Sequence, residues 1–189
     1  AEALYPPPRL ATALRPGSQG NYVLSVGRLE GNKRVDLVVG TMRDVVPPIR
    51  LVVVGEGSQR MDLERATEAL GLGDRVDFVG WVDDDMLIDL YANALAVVYP
   101  PYDEDYGYVT LEAFLARKPV LTTTDAGGPL EFVEHEINGL VSEPSSEALA
   151  AAINRFAGDR RWAAELGAAG FERARHIRWD PIIEHLTVT

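Results

Sequence analysis

The stretch Tyr99-Pro100-Pro101-Tyr102-Asp103-Glu104-Asp105-Tyr106-Gly107-Tyr108-Val109-Thr110-Leu111-Glu112-Ala113-Phe114 reads as strand end, loop and helix start. The apolar run Ala96 to Tyr99 fits a buried strand. Paired prolines and three consecutive acids cannot continue it. Gly107 allows a tight turn, and Val109 to Arg117 reads as a helix with Leu111, Phe114 and Leu115 on its apolar side. A strand-to-helix junction of this kind aims free backbone N–H groups and a positive dipole end at one point, which suits an anion. Glu104 and Glu112 bracket it, and carboxylates accept hydrogen bonds from sugar hydroxyls. The junction therefore predicts phosphate on backbone amides and sugar on acids.

Working outward, strands alternate with helices along the chain. Tyr22 to Val26 is the first strand, and Val35, Val38, Val39, Met42, Val45 and Val46 mark a helix stopped by Pro47-Pro48. Between them lie Gly27, Arg28, Gly31, Lys33 and Arg34, glycines and cations suited to phosphate. Solvated surface charge explains Arg28 and Lys33 equally well from this loop alone. A dinucleotide fold would want G-x-G-x-x-G here, and it is absent. Leu51 to Val54 is the second strand. Gly55-Glu56-Gly57 turns it into a helix from Ser58 to about Leu70. Glu56 sits where it can touch a ligand or remain surface acid. Val76 to Val79 is the third strand, then Gly80-Trp81-Val82 and a helix over Asp84 to Asn93. Pro119 to Thr122 is the fifth strand. Gly127-Gly128-Pro129-Leu130-Glu131 follows, with Pro129 suited to a first helical position. Leu140-Val141 is the sixth strand. Helices follow from Ser145 to Ala157, from Arg160 to His176, and from Trp179 to Leu186.

This alternation predicts a Rossmann-like, doubly wound α/β fold, with a parallel six-stranded sheet and helices on both faces. In the strand order 3-2-1-4-5-6, ligands bind where the chain reverses direction, between strands one and four. The loop after strand one carries Gly27, Arg28 and Lys33; the loop after strand four carries Glu104, Gly107 and Glu112. Topology thus joins two individually weak signals in one crevice. Residues 1–20, with Tyr5-Pro6-Pro7-Pro8 and Arg15-Pro16-Gly17, read as an interdomain linker or a disordered tail, and residues 21–189 as the domain.

Composition narrows the ligand class. The 189 residues carry a net charge of −11, whereas nucleic-acid binders are usually basic. A small phosphate ligand held by local groups fits better than a nucleic-acid backbone. The chain has no cysteine, which excludes disulfides and thiolate metal sites. Neither a membrane-spanning run nor a signal peptide is visible, and the missing initiator methionine suggests processing or a fragment.

At these residues the chain resembles the C-terminal, donor-binding half of a GT-B glycosyltransferase of the retaining family 4 group. Val26-Gly27-Arg28-Leu29 with Lys33 and Asp36-Leu37 is similar to that family's first phosphate loop. Glu104 and Glu112 match its two-glutamate motif, and Gly127-Gly128 with Glu131 and Asn138 to Val141 matches the segment after it. The resemblance implies that Arg28 and Lys33 neutralise the diphosphate of a nucleotide-sugar such as a GDP-, UDP- or ADP-hexose. Backbone amides near Gly107, Tyr108 and Val109 would add hydrogen bonds. Glu112 would hold the ribose and Glu104 the donor sugar, with the base near Gly80-Trp81-Val82. Glu104, Arg28 and Lys33 would be catalytic, and no metal would be required. Tyr108, Gly128-Pro129-Leu130-Glu131 and Arg117-Lys118 depart from the family pattern.

The resemblance further implies a missing N-terminal, acceptor-binding domain and a cytoplasmic enzyme, with lipid-linked acceptors placing it at the inner face of the plasma membrane. This chain alone is expected to transfer little. The competing readings are a non-catalytic nucleotide-sugar sensor and a GT-B-like epimerase. The latter needs extra acid–base groups, and His135, His176 and His185 lie outside the crevice loops, His135 reading as helix surface.

Overall fold

The computed structural model describes residues 5–179 and residue 183. Six parallel strands form one sheet: β1 (Tyr22–Val26), β2 (Arg50–Val54), β3 (Val76–Gly80), β4 (Ala96–Val98), β5 (Val120–Thr123) and β6 (Gly139–Ser142). Their order is β3-β2-β1-β4-β5-β6, the doubly wound arrangement expected from the sequence. The helices are α1 (Val35–Thr41), α2 (Arg60–Ala69), α3 (Asp84–Asn93), α4 (Tyr108–Leu115), α5 (Ser146–Gly158) and α6 (Arg160–Ala174). The helix expected from Trp179 to Leu186 falls mostly outside the described residues.

Successive strand residues face opposite sides, so each strand serves two cores. Val23, Leu51, Val53 and Leu121 face one core with Val38 of α1, Leu63 of α2 and Ile153 and Phe156 of α5. Leu24, Val52, Val54 and Val97 face the other with Tyr91 of α3 and Leu111 and Phe114 of α4. This is why the strands read as unbroken apolar runs rather than as alternating ones. Asp83, Ser145 and Asp159 cap α3, α5 and α6 through side-chain oxygens. α1 stops at Thr41, earlier than its apolar spacing suggests, and residues 42–44 continue as turns. The segment after β5 forms a short 3-10 turn, Gly128–Glu131, with Pro129 inside it. His135 is not on a helix: it forms an isolated bridge with Gly139, and its Nδ1 accepts from the Val141 N–H at 3.1 Å.

The N-terminal segment is held onto the domain rather than free of it. Leu10 is buried, and Tyr5, Ala11 and Leu14 pack against the second core. The Tyr5 ring lies 5.0 Å from Phe132 and 5.8 Å from Tyr106, whose hydroxyl donates to the Pro6 carbonyl at 2.8 Å. Further along, Lys118 is only 2% exposed and donates its ammonium to the Ser18 carbonyl at 2.6 Å.

Burial pushes the Lys118 ammonium from its ordinary 10.5 down to about 8. Between those values the unfolded chain binds one more proton at this site than the folded chain. Stability should therefore rise with pH across that window. Burial holds the hydroxyls of Tyr22, Tyr91 and Tyr99 above their ordinary 10, which opposes the rise above that pH. Urea midpoints should climb between about pH 8 and 10 and then level or fall. Lys118→Met should remove the climb, and a flat wild-type profile would refute the assignment.

Candidate nucleotide-sugar site

The site begins where β1 ends. Gly27 leaves the strand at φ 151 with its N–H on the Val54 carbonyl at 3.0 Å. Buried Leu29 anchors the loop, and a 3-10 turn over Gly31–Lys33 delivers Lys33 to the crevice. Arg34 follows in a left-handed conformation, φ 52, and fixes the turn from outside. Its guanidinium makes a two-pronged pair with Asp125, both contacts 2.8 Å, and lies 4.9 Å from the Tyr102 ring centre. The Tyr102 N–H donates to the Asn32 carbonyl at 2.8 Å. The loops after β1, β4 and β5 are thus tied together.

Held in this way, the Lys33 ammonium donates to Glu104 Oε2. The Tyr99 hydroxyl donates to the same oxygen at 3.1 Å. Burial, followed by the nearby Glu104 charge, keeps that hydroxyl well above its ordinary range, so it remains a donor. Glu104 has little freedom. Its N–H donates to the Ala126 carbonyl at 3.0 Å, and its carbonyl accepts from the Gly128 N–H at 2.6 Å. It forms a parallel bridge with Gly127, where φ is 75 and a Cβ would meet the Glu104 carbonyl oxygen at 2.6 Å. Only glycine allows the β5 loop so close. The Glu104 carboxylate therefore sits on a one-bridge extension of the sheet.

Past Glu104, Gly107 takes φ 77 and becomes the N-cap of α4, with no side chain capping the helix. The first N–H groups of α4, including those of Tyr108 and Val109, have no carbonyl one turn earlier to bond. One turn along α4, the half-buried Glu112 accepts from the Tyr91 hydroxyl at 2.8 Å. Burial raises the Glu112 carboxyl above the usual range, against the Tyr91 bond and the Arg9 charge.

Beyond the ends of β1, β2 and β3 lies a cavity of about 410 Å³, walled by Gly27, Arg28, Glu56, Trp81, Val82 and Leu87. Trp81 is 78% exposed at its rim. The Arg28 side chain is exposed on its wall, its charge helps hold the Glu30 carboxyl low, and its carbonyl accepts from the Glu30 N–H at 2.9 Å. Glu56 pairs with Arg60 at 2.7 Å. Tyr108 and Glu112 wall an adjoining cavity. Lys33 thus meets Glu104, while Gly27, Arg28, Glu56, Trp81 and Val82 wall the cavity beyond β1, β2 and β3, which neither member of the pair lines.

Sequence reasoning missed Tyr99, Tyr91, the Arg34–Asp125 pair and Arg9. Tyr91, Arg34 and Arg9 act on partners far along the chain, and Tyr99 acts on Glu104 five residues on. Neither periodicity nor spacing marks such a residue.

The chain is thus a doubly wound α/β domain with a cation–carboxylate pair at its topological switch point, beside an uncapped helix start. Comparison with known proteins is specific: the chain belongs to the family Glycosyl transferases group 1, whose pattern matches residues 11–173. It is 34% identical over 140 residues to an uncharacterized glycosyltransferase of Methanocaldococcus jannaschii, covering 72% of this chain and 36% of that protein. Sucrose-phosphate synthase from Thermosynechococcus elongatus superposes with a TM-score of 0.82 at 33% identity, covering 96% of this chain and 48% of that one. Anabaena HepE in complex with UDP and glucose gives a TM-score of 0.82 at 26% identity, over 90% of this chain and 49% of that one. The chain thus spans about half the length of these solved relatives or less. Among the described residues no helix is long and apolar enough to cross a membrane.

Proposed function

We propose that the domain binds a nucleoside diphosphate hexose, with a sugar such as mannose or glucose, as the donor half of a retaining glycosyltransferase. The observation that carries this reading is Lys33 meeting Glu104 beside the uncapped start of α4. The diphosphate takes the α4 N–H groups, Lys33 and Arg28. The ribose takes Glu112, the base enters the cavity rimmed by Trp81 and Val82, and the sugar hydroxyls take Glu104. In transfer, the bond from the anomeric carbon to the diphosphate breaks and the acceptor oxygen bonds to that carbon on the same face. The acceptor proton passes to the departing diphosphate oxygen. Positive charge already in place around that diphosphate is the main stabilising element, so no metal is called for.

A longer enzyme would supply the acceptor-binding domain that positions the acceptor and excludes water. It would work in the cytoplasm, at the inner membrane face when the acceptor is lipid-linked. The similarity to a protein held with UDP and glucose supports the donor class.

A thermal-shift panel with GDP, UDP and ADP on wild type and Lys33→Ala tests the reading. A ligand at about 100 times its dissociation constant adds ~2.7 kcal/mol, which moves the midpoint of a domain this size by roughly 5–11 °C. The expected result is such a shift with one nucleotide, lost in Lys33→Ala. A shift unchanged in Lys33→Ala would place the ligand elsewhere.

A further inference from the structure

Arg9 stands at the junction of three adjoining cavities. One is the nucleoside cavity with Arg28 and Trp81; one is walled by Tyr108 and Glu112; the third lies under Leu115 and Phe171. Its backbone is fixed while its side chain reaches out from the segment. Pro7, Pro8 and Leu10 on either side are buried, and the Pro8 carbonyl closes a turn by accepting from the Ala11 N–H at 3.0 Å. Two prolines in succession further stiffen the approach. The guanidinium points outward, 69% exposed, and makes two 2.6 Å contacts with the half-exposed Asp84 at the start of α3. An exposed ion pair of this kind contributes little to stability. Maintaining the fold is therefore a poor explanation for a cation at this place.

The chemistry around it gives a better one. A nucleoside presents hydroxyls that donate and ring and carbonyl oxygens that accept. The acids nearest this path, Glu56, Asp84 and Glu112, only accept when ionised. Arg28 and Arg9 are the cations on the same walls. We infer that Arg9 is a donor-binding residue: its guanidinium, between the nucleoside cavity and Glu112, hydrogen-bonds the nucleoside half of the bound nucleotide and closes the crevice over it. This rests on the donor reading above and extends it to a segment outside the crevice loops. Asp84 holds the guanidinium at this position.

Isothermal titration of the 189-residue chain with UDP, GDP and ADP, and with the corresponding monophosphates, tests this. Wild type is compared with Arg9→Ala, Arg9→Lys and Asp84→Ala. Arg9→Ala should weaken the preferred diphosphate at least fivefold and its monophosphate by a similar factor, because the contact is on the nucleoside half. Arg9→Lys should recover part of the loss, and Asp84→Ala should cost less than Arg9→Ala. Unchanged or tighter binding by Arg9→Ala, with an unchanged melting midpoint, overturns the inference while leaving the donor reading intact. Failure of wild type to bind any of the nucleotides sinks both.

Discussion

Glu104→Gln should abolish most transfer while sparing nucleotide binding. Glutamine keeps the size of the side chain and can still accept from Tyr99, but it no longer pairs with the Lys33 charge. In the full-length enzyme, kcat should fall on the order of 100- to 1000-fold, the range for removing one preorganised transition-state contact. The dissociation constant for the nucleoside diphosphate should stay the same or tighten, because Lys33 is released to the phosphates. The comparison also separates an enzyme from a sensor, since a sensor has no turnover to lose. Turnover within about threefold of wild type would remove Glu104 from the reacting centre.

Gly55→Ala should have the largest effect on stability. Gly55 ends β2 at φ 129, and a Cβ there would lie 1.9 Å from the Gly27 carbonyl oxygen. The loops bearing Arg28 and Glu56 touch through these two glycines. Backbone strain and forced separation together cost roughly 2–6 kcal/mol. The thermal midpoint should drop by about 10 °C, and nucleotide binding should weaken as the cavity opens. Gly27→Ala is the control: φ is 151 there, but nothing lies within 4 Å of the added Cβ. It incurs only the conformational part, so the difference between the two variants isolates the steric part. A Gly55→Ala protein as stable as wild type would mean that the loops do not meet in solution.

The strands and helices were legible because the strands are mostly apolar runs bounded by glycine or proline and the helices carry apolar faces; their order was assumed from the doubly wound pattern, and the structure has it. The crevice was legible because parallel topology brings the ends of β1 and β4 together whatever the side chains do. The N-terminal segment was less readable. Its prolines argue against helix and central strand but say nothing of Tyr5 meeting Phe132 or of Arg9 meeting Asp84. Lys118 shows the same limit. A lysine beside an arginine reads as surface, and only the turn after α4, where Arg117 takes φ 57, places it inside against Ser18. His135, expected on a helix surface, forms a bridge to Gly139 instead. Local chemistry foretold the elements and their ends; partners distant in sequence were visible only once the chain had folded.

The Lys33–Glu104 contact bears on how a product leaves. Lys33 and Glu104 balance each other's charge. A ligand that brings phosphate without an adjacent hydroxyl must draw Lys33 away and strand a partly buried carboxylate, which is costly. In the proposed reaction a hexose donor would satisfy both groups at once. After transfer the hexose would depart with the acceptor, and Glu104 would regain its claim on Lys33. The spent nucleotide would then lose hold of a cation when it has to go. The same pair that admits a complete donor would thus help expel the used one.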